Sequence, residues 1–171
     1  MLLFTALLPP AAVVEPLRAE LARLGAGEND EVRWSASDRW HVTLGFYGDQ
    51  DDPAQHVELL TDRLRGRGAP RLWLQGAGIF PGVLWLGVAG MGLTDLADAA
   101  GAGQEGREYR PHLTLGRWSR AVPAVGTPWQ QRLARYRSEP WTAGEVVLMR
   151  SDRAEGEPVY RVIERFQLTC G

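Results

Sequence analysis

The chain has 171 residues, 44% hydrophobic and 23% charged, ordinary soluble-protein composition with enough apolar material for one compact domain over residues 1–171. Its 19 basic residues, all arginine, stand against 21 acidic ones for a net charge of −2. That argues against a broad basic face for duplex nucleic acid but leaves room for a few arginines gripping one or two phosphates.

In chain order, Leu2 to Leu8 is an apolar run with no basic residue before it, ending at Pro9-Pro10. It is too short to span a membrane and lacks the charged start of a signal peptide, so it is expected to be a buried first strand of a cytoplasmic protein. Pro9-Pro10 opens a helix to about Gly25, with Val14, Leu17, Leu21 and Leu24 at helical spacing. Val32 to Trp34 reads as a short strand and Trp40 to Tyr47 as a stronger one. Asp52-Pro53 is a helix start, followed by Val57, Leu60 and Leu64 on one face. Arg71 to Ile79 and Val83 to Val88 form a hairpin turned at Phe80-Pro81-Gly82. Thr94 to Ala100 is a short helix, residues 101–106 a glycine-rich flexible stretch, and Arg110 to Arg117 another strand. A last helix starts at Thr127-Pro128, with Trp129, Leu133 and Tyr136 on its apolar side. Strands Glu145 to Met149 and Tyr160 to Leu168 close the chain around a polar loop, Ser151 to Pro158. The one cysteine, Cys170, allows no intrachain disulfide and is a poor nucleophile candidate.

Chemistry is concentrated in a repeat. Of the three histidines, two begin near-identical pentapeptides, His41-Val42-Thr43-Leu44-Gly45 and His112-Leu113-Thr114-Leu115-Gly116. On a strand, residues i and i+2 share a face, so each copy presents an imidazole and a hydroxyl together while Val42 and Leu44, or Leu113 and Leu115, anchor it in the core. Packing demands only the apolar pattern, yet the polar residues are copied too. Within the two strands, Trp40 to Tyr47 and Arg110 to Arg117, no further histidine, cysteine or carboxylate stands at i±2 or i±4 of either histidine on the matching face, so a metal site is not expected. A serine elbow, a P-loop and a dinucleotide fingerprint are absent. Two imidazoles of pKa near about 6.5 suit acid–base chemistry around neutrality. A 2′,3′-cyclic phosphate is a natural target: one ring deprotonates water, the other protonates the departing ribose oxygen, and the threonines hold the non-bridging oxygens.

The paired His-x-Thr-x motifs resemble those of the two-histidine (2H) phosphoesterases, and within them the RNA 2′,3′-cyclic phosphodiesterases, also called 2′-5′ RNA ligases. Trp40 to Gly48 is similar to that family's first motif and Tyr109 to Arg117 to its second; Leu3 to Leu7, and Val147 to Ser151 with Tyr160 and Phe166 to Leu168, resemble its opening and closing strands. The resemblance implies an α+β fold of two pseudo-twofold-related lobes, each an antiparallel sheet with helices outside, around a central cleft. It implies His41 as proton donor, His112 as proton acceptor, Thr43 and Thr114 on the phosphate, Arg117 toward phosphate and Phe46 toward base or ribose. Simple alternation puts the two last residues on the wrong face, so each strand must bend or bulge near Gly45 and Gly116. The segment Met91 to Gly106 departs from the pattern, being short and glycine-rich where relatives carry a longer helix.

The expected activity is hydrolysis of RNA 2′,3′-cyclic phosphate ends to 2′-phosphomonoesters, without cofactor or metal and with 2′-5′ ligation as an accompanying reaction. The expected partners are RNA ends or nucleotide 2′,3′-cyclic phosphates, and the expected state is a monomer. Two other readings stay open: the same machinery acting on a small cyclic nucleotide or a 2′-5′ oligonucleotide, and a non-catalytic module that binds RNA ends. Trp34 and Trp118 are weaker candidates for base stacking, Arg110 and Arg150 for phosphate, and His56 reads as a surface histidine.

Overall fold

The computed structural model describes residues 1–28, 31–102, 106, 108–152 and 156–170. Strand β1 (Leu2–Leu7) is buried on both faces, and Pro9-Pro10, which cannot continue a ladder, end it. Helix α1 (Ala11–Arg23) then starts with the Val13 and Val14 amides on the Pro10 carbonyl, and buries Val13, Leu17 and Leu21. A two-residue strand, β2 (Arg33–Trp34), and a 3-10 turn at Ser37–Arg39 lead into β3 (Val42–Asp49). The helix expected at Asp52-Pro53 is α2 (Ala54–Leu64); it begins just beyond them, and the Asp52 carboxylate accepts the Ala54 amide at 2.9 Å.

The hairpin is β4 (Arg71–Phe80) and β5 (Val83–Met91), followed by α3 (Leu93–Ala99), β6 (His112–Arg117) and α4 (Gly126–Leu133). A two-residue strand not expected from the sequence, β7 (Trp141–Thr142), precedes β8 (Glu145–Asp152) and β9 (Val159–Gln167). Tyr136 falls beyond α4. Residues 103–105 of the glycine-rich stretch and 153–155 of the polar loop lie outside the described residues.

Among the described residues nine strands form one sheet in the order β7-β4-β5-β6-β3-β1-β8-β9, with β2 beside β6. Every pairing between these strands is antiparallel. The order of elements repeats: β1-α1-β3-α2-β4 is matched by β5-α3-β6-α4-β8. The last strand of each repeat crosses to the other, β4 pairing with β5 and β8 with β1. The two half-sheets meet where β3 and β6 pair, at the single register Val42↔Leu113. Helices α1 to α4 all contribute to one apolar core with Val42, Leu44, Leu113 and Leu115, the inward residues of both motifs. The opposite face of the sheet is left for the motif histidines and threonines. A small separate cluster of Phe4, Ala6, Val147 and Met149, with Tyr160 packed on it, covers part of that face.

The bulges that the resemblance implies near Gly45 and Gly116 are present. On β3 the register runs Ala6↔Thr43 and then Thr5↔Gly45, which leaves Leu44 unmatched. On β6 it runs Trp85↔Thr114 and then Leu84↔Gly116, which leaves Leu115 unmatched. The extra residue falls at the same place in each motif and shifts the alternation by one. Gly45 is needed for a second reason. A β-carbon there would lie 2.4 Å from the Ala100 carbonyl oxygen and 2.8 Å from the Tyr47 hydroxyl. That space holds a network joining β1, β3 and the end of α3. The Gly45 amide donates to Thr5 Oγ1 at 3.0 Å, and the Tyr47 hydroxyl, 2.9 Å from Thr5 Oγ1, donates to the Ala100 carbonyl at 2.6 Å. Burial pushes the Tyr47 phenol up to about 12.

Gly45→Ala is therefore expected to destabilise the fold by about 1–3 kcal/mol, the scale of overpacking against backbone. Gly144→Ala, where a β-carbon meets open space, is expected to stay within about 0.5 kcal/mol. Denaturant midpoints at equal m-values compare the two.

Candidate active site

Along an antiparallel ladder paired residue numbers have a constant sum, so the register Val42↔Leu113 aligns His41 with Thr114 and Thr43 with His112. Each motif's histidine thus stands across from the other motif's threonine, and the histidines occupy one diagonal. Diagonal neighbours of an antiparallel pair are about 7–8 Å apart at the backbone, which leaves space for a phosphoryl group between two rings. All four residues line one cleft of about 490 Å³, together with Arg117. His41 itself precedes β3, one residue outside the strand expected to carry it, while His112 is the first residue of β6.

The two imidazoles are held alike. His41 Nδ1 lies 2.7 Å from the Arg39 carbonyl and His112 Nδ1 lies 2.7 Å from the Arg110 carbonyl. A carbonyl only accepts, so Nδ1 carries a hydrogen in both rings and proton exchange is left to Nε2. Each ring is also walled by two aromatics. His41 packs at 5.1 Å from Phe4 and 5.3 Å from Tyr160; His112 packs at 5.2 Å from Phe80 and 5.8 Å from Trp85. The Trp85 indole lies so close over Gly78 that a β-carbon there would be 2.1 Å from it. A further bond crosses between motifs: the Tyr109 hydroxyl donates to the Thr43 carbonyl at 2.7 Å. Burial is the largest cause holding the His41 imidazole below its ordinary value of 6.5. The Arg39 carbonyl works the other way, and the charges of His112 and Arg117 lower it further.

Arg117 reaches the cleft because the bulge at Leu115 returns it to the face of His112. Phe46 is 57% exposed and is not among the described residues lining the cleft. Its cross-strand partner is Phe4, which packs on His41, so Phe46 shares that face of the sheet further out. Trp34 lines the cleft, packed edge-on against Trp129 at 4.7 Å. Trp118 is only 4% exposed and is not open to a base; it packs over Gly126 and into the core. His56 is not a surface histidine either: it is half-buried, with its ring 4.8 Å from that of Tyr47. Arg150 is bound by Asp152 at 2.8 Å, and Arg110 is exposed at the strand start. Among the described residues no group of three histidine, cysteine or carboxylate side chains is placed to hold a metal ion.

Sequence reasoning missed Arg33, Arg39 and Glu157, which also line the cleft, Arg39 being ion-paired with Glu157. A signal for Arg39 was present. The repeat extends two residues back, to Arg39-x-His41 and Arg110-x-His112, and these are the residues whose carbonyls orient the rings.

Residues 9–155 match the family model of the 2′-5′ RNA ligase superfamily. The chain is 28% identical, over 81% of its length and 83% of the relative's, to the RNA 2′,3′-cyclic phosphodiesterase of Methanothermobacter thermautotrophicus. Its fold is similar to E. coli LigT, solved with NADP+, at TM-score 0.78 and 29% identity, covering 98% of this chain and 97% of that one. TT0787 of Thermus thermophilus has the same fold at TM-score 0.78 and 23% identity, covering 98% and 97%.

The buried setting of His41 has a measurable signature. An NMR titration is expected to place its midpoint below about 6.5, with the neutral ring dominating sooner as pH rises. Tyr160→Ala removes one wall and is expected to move that midpoint upward, since readmitting water favours the charged ring. A native midpoint at or above about 6.5 would contradict the buried setting.

Proposed function

The chain belongs to the 2′-5′ RNA ligase superfamily, the two-histidine phosphoesterases, and on that basis we propose that it hydrolyses RNA 2′,3′-cyclic phosphate ends to 2′-phosphomonoesters without a metal. The observation that carries this reading is the single β3–β6 register. It brings two histidines, each with Nδ1 committed to a carbonyl, and two threonines onto one wall of one cleft.

In the proposed reaction the cyclic phosphate sits over the square of His41, Thr43, His112 and Thr114. His112 Nε2 takes a proton from water as the water oxygen attacks phosphorus. His41 Nε2 gives its proton to the departing 3′-oxygen on the opposite side, which leaves the phosphate on the 2′-oxygen. Attacking and leaving oxygens lie in line, so the base and the acid must stand on opposite sides of phosphorus, as a diagonal pair does. The Thr43 and Thr114 hydroxyls and the Arg117 guanidinium hold the non-bridging oxygens, where negative charge grows. Phosphate beside His41 offsets the cost of burying its charged form, which readies the donor only when substrate is bound. A 5′-hydroxyl in place of water gives 2′-5′ ligation by the same steps. Phe46, on the rim beyond Phe4, is assigned to base or ribose. The crossed strands support treating residues 1–171 as one domain, taken to act as a monomer in the cytoplasm. No helix among the described residues is long and apolar enough to cross a membrane.

The deciding assay is a panel of RNA and nucleotide 2′,3′-cyclic phosphates with EDTA present. Turnover is expected to survive chelation. His41→Ala and His112→Ala are each expected to lower kcat by about 10²–10⁴ while ligand binding persists. Loss of activity on chelation with recovery on adding a divalent ion would sink the metal-free mechanism. Full activity of either alanine variant would remove that histidine from it.

Arg117→Lys is expected to recover only part of the activity lost in Arg117→Ala, because a planar fork holds two phosphoryl oxygens and an ammonium is a point charge. Equal kcat/KM for the lysine variant and the native protein would show that charge alone suffices there.

A further inference from the structure

Among the described residues three arginines line the cleft, Arg33, Arg39 and Arg117, and their surroundings differ. Arg39 is neutralised by Glu157 from the segment before β9. Arg33 and Arg117 have no carboxylate within ion-pair distance among the described residues. They are also direct cross-strand partners, Arg33 on β2 facing Arg117 on β6. Side chains so paired sit about 5 Å apart at their β-carbons, and like charges there destabilise the pair. Strand β2 is only two residues long, and one of them is Arg33. The fold holds this repulsive pair at the cleft, where an anion relieves the repulsion.

One scissile phosphate does not account for both cations. Arg117 lies five residues beyond His112 along β6, one of them taken up by the bulge. At roughly 3.3 Å per residue its backbone is about 13–17 Å from that histidine. Arg117 must extend back along the strand to serve the histidine–threonine square, and its charge is felt at His41. Arg33 stands on the same edge of β6 as β3, opposite β5 and four residues further along β6 than the Val42↔Leu113 register, beside Trp34 and Ser35, which continue the cleft wall away from the histidines.

We propose that Arg33 binds a second phosphate of the substrate, the one on the 5′ side of the terminal nucleoside. The cleft then selects cyclic-phosphate ends of oligoribonucleotides over free nucleoside cyclic phosphates. This rests on the phosphodiesterase reading above for the placement of the terminal phosphate. A contact from one guanidinium to one phosphate fits an unpaired arginine on a chain whose overall charge is negative.

The test is binding, with turnover measured alongside. The ligands are a nucleoside 2′-monophosphate, the same nucleoside carrying an added 5′-phosphate, and a dinucleotide with one internal phosphate and a terminal 2′-phosphate. Native protein is expected to bind both diphosphorylated ligands about tenfold or more tightly than the monophosphate, the scale of one charge-assisted hydrogen bond. Arg33→Ala is expected to bring that ratio near one and to reduce the slope of log Kd against log salt by about 0.7 for the dinucleotide. Arg33→Lys is expected to keep the slope and part of the ratio. Three results overturn the proposal: no native preference, a preference shown by the dinucleotide but not by the 5′-phosphorylated nucleotide, or a ratio that Arg33→Ala leaves intact. The last includes equal weakening of all ligands, which would put Arg33 on the terminal phosphate with Arg117. An Arg33-dependent ratio in a protein that turns over no cyclic phosphate would instead sustain this site and refute the phosphodiesterase reading.

Discussion

Everything at the cleft depends on one backbone pairing, Val42 with Leu113. Among the described residues it is the only register joining β3 to β6, and so the seam between the two half-sheets. A shift of one residue would turn one motif's polar face into the core and its Val or Leu residues into the cleft. The apolar residues prevent this. Val42, Leu44, Leu113 and Leu115 are all essentially buried against the helices, and no polar alternative could replace them at acceptable cost. The hydrophobic face thereby sets which residues meet on the polar face.

Local devices then refine what the seam positions. A carbonyl two residues back orients each imidazole, aromatic walls limit its access to water, and a bulge in each strand recovers the residue five positions after the histidine for the same face. The two copies are not electrostatically equivalent. His41 is the more enclosed and feels both His112 and Arg117. At the bulge-recovered position one copy has a phenylalanine and the other an arginine. The arginine lines the cleft, whereas the phenylalanine stands exposed outside it, on the same face of the sheet as His41.

The parts legible in the sequence were those with a period or a repeat. Alternation along Val42-Thr43-Leu44 and Leu113-Thr114-Leu115 identifies both strands and their inward faces, whereas the need for bulges comes from the resemblance, which places Phe46 and Arg117 on the side of the histidines. What could not be read depended on partners distant in sequence. Strand β7 is two residues long and exists only because Leu72 and Arg71 offer an edge. The aromatic neighbours of His41 come from β1 and β9, with nothing local to mark them. Arg33 carries no mark of its own in the sequence; its meaning comes from the pairing with Arg117, 84 positions further on by the difference 117 − 33. Residue type says little about burial for half-polar rings: Trp118, a weak candidate for base stacking, is packed over Gly126, and His56, read as a surface histidine, is half-buried beside Tyr47.

The strand exchange between repeats also bears on how the chain reaches this state. Strand β1 lies inside the sheet, between β3 and β8. Its first neighbour follows within one helix, but its second is made only after some 140 further residues have left the ribosome. Until then the β8-side edge of an almost wholly apolar strand stays open, a template for pairing with another chain. Assembly dominated by such distant pairings is slow, and the nascent protein carries an aggregation hazard that the finished one has buried.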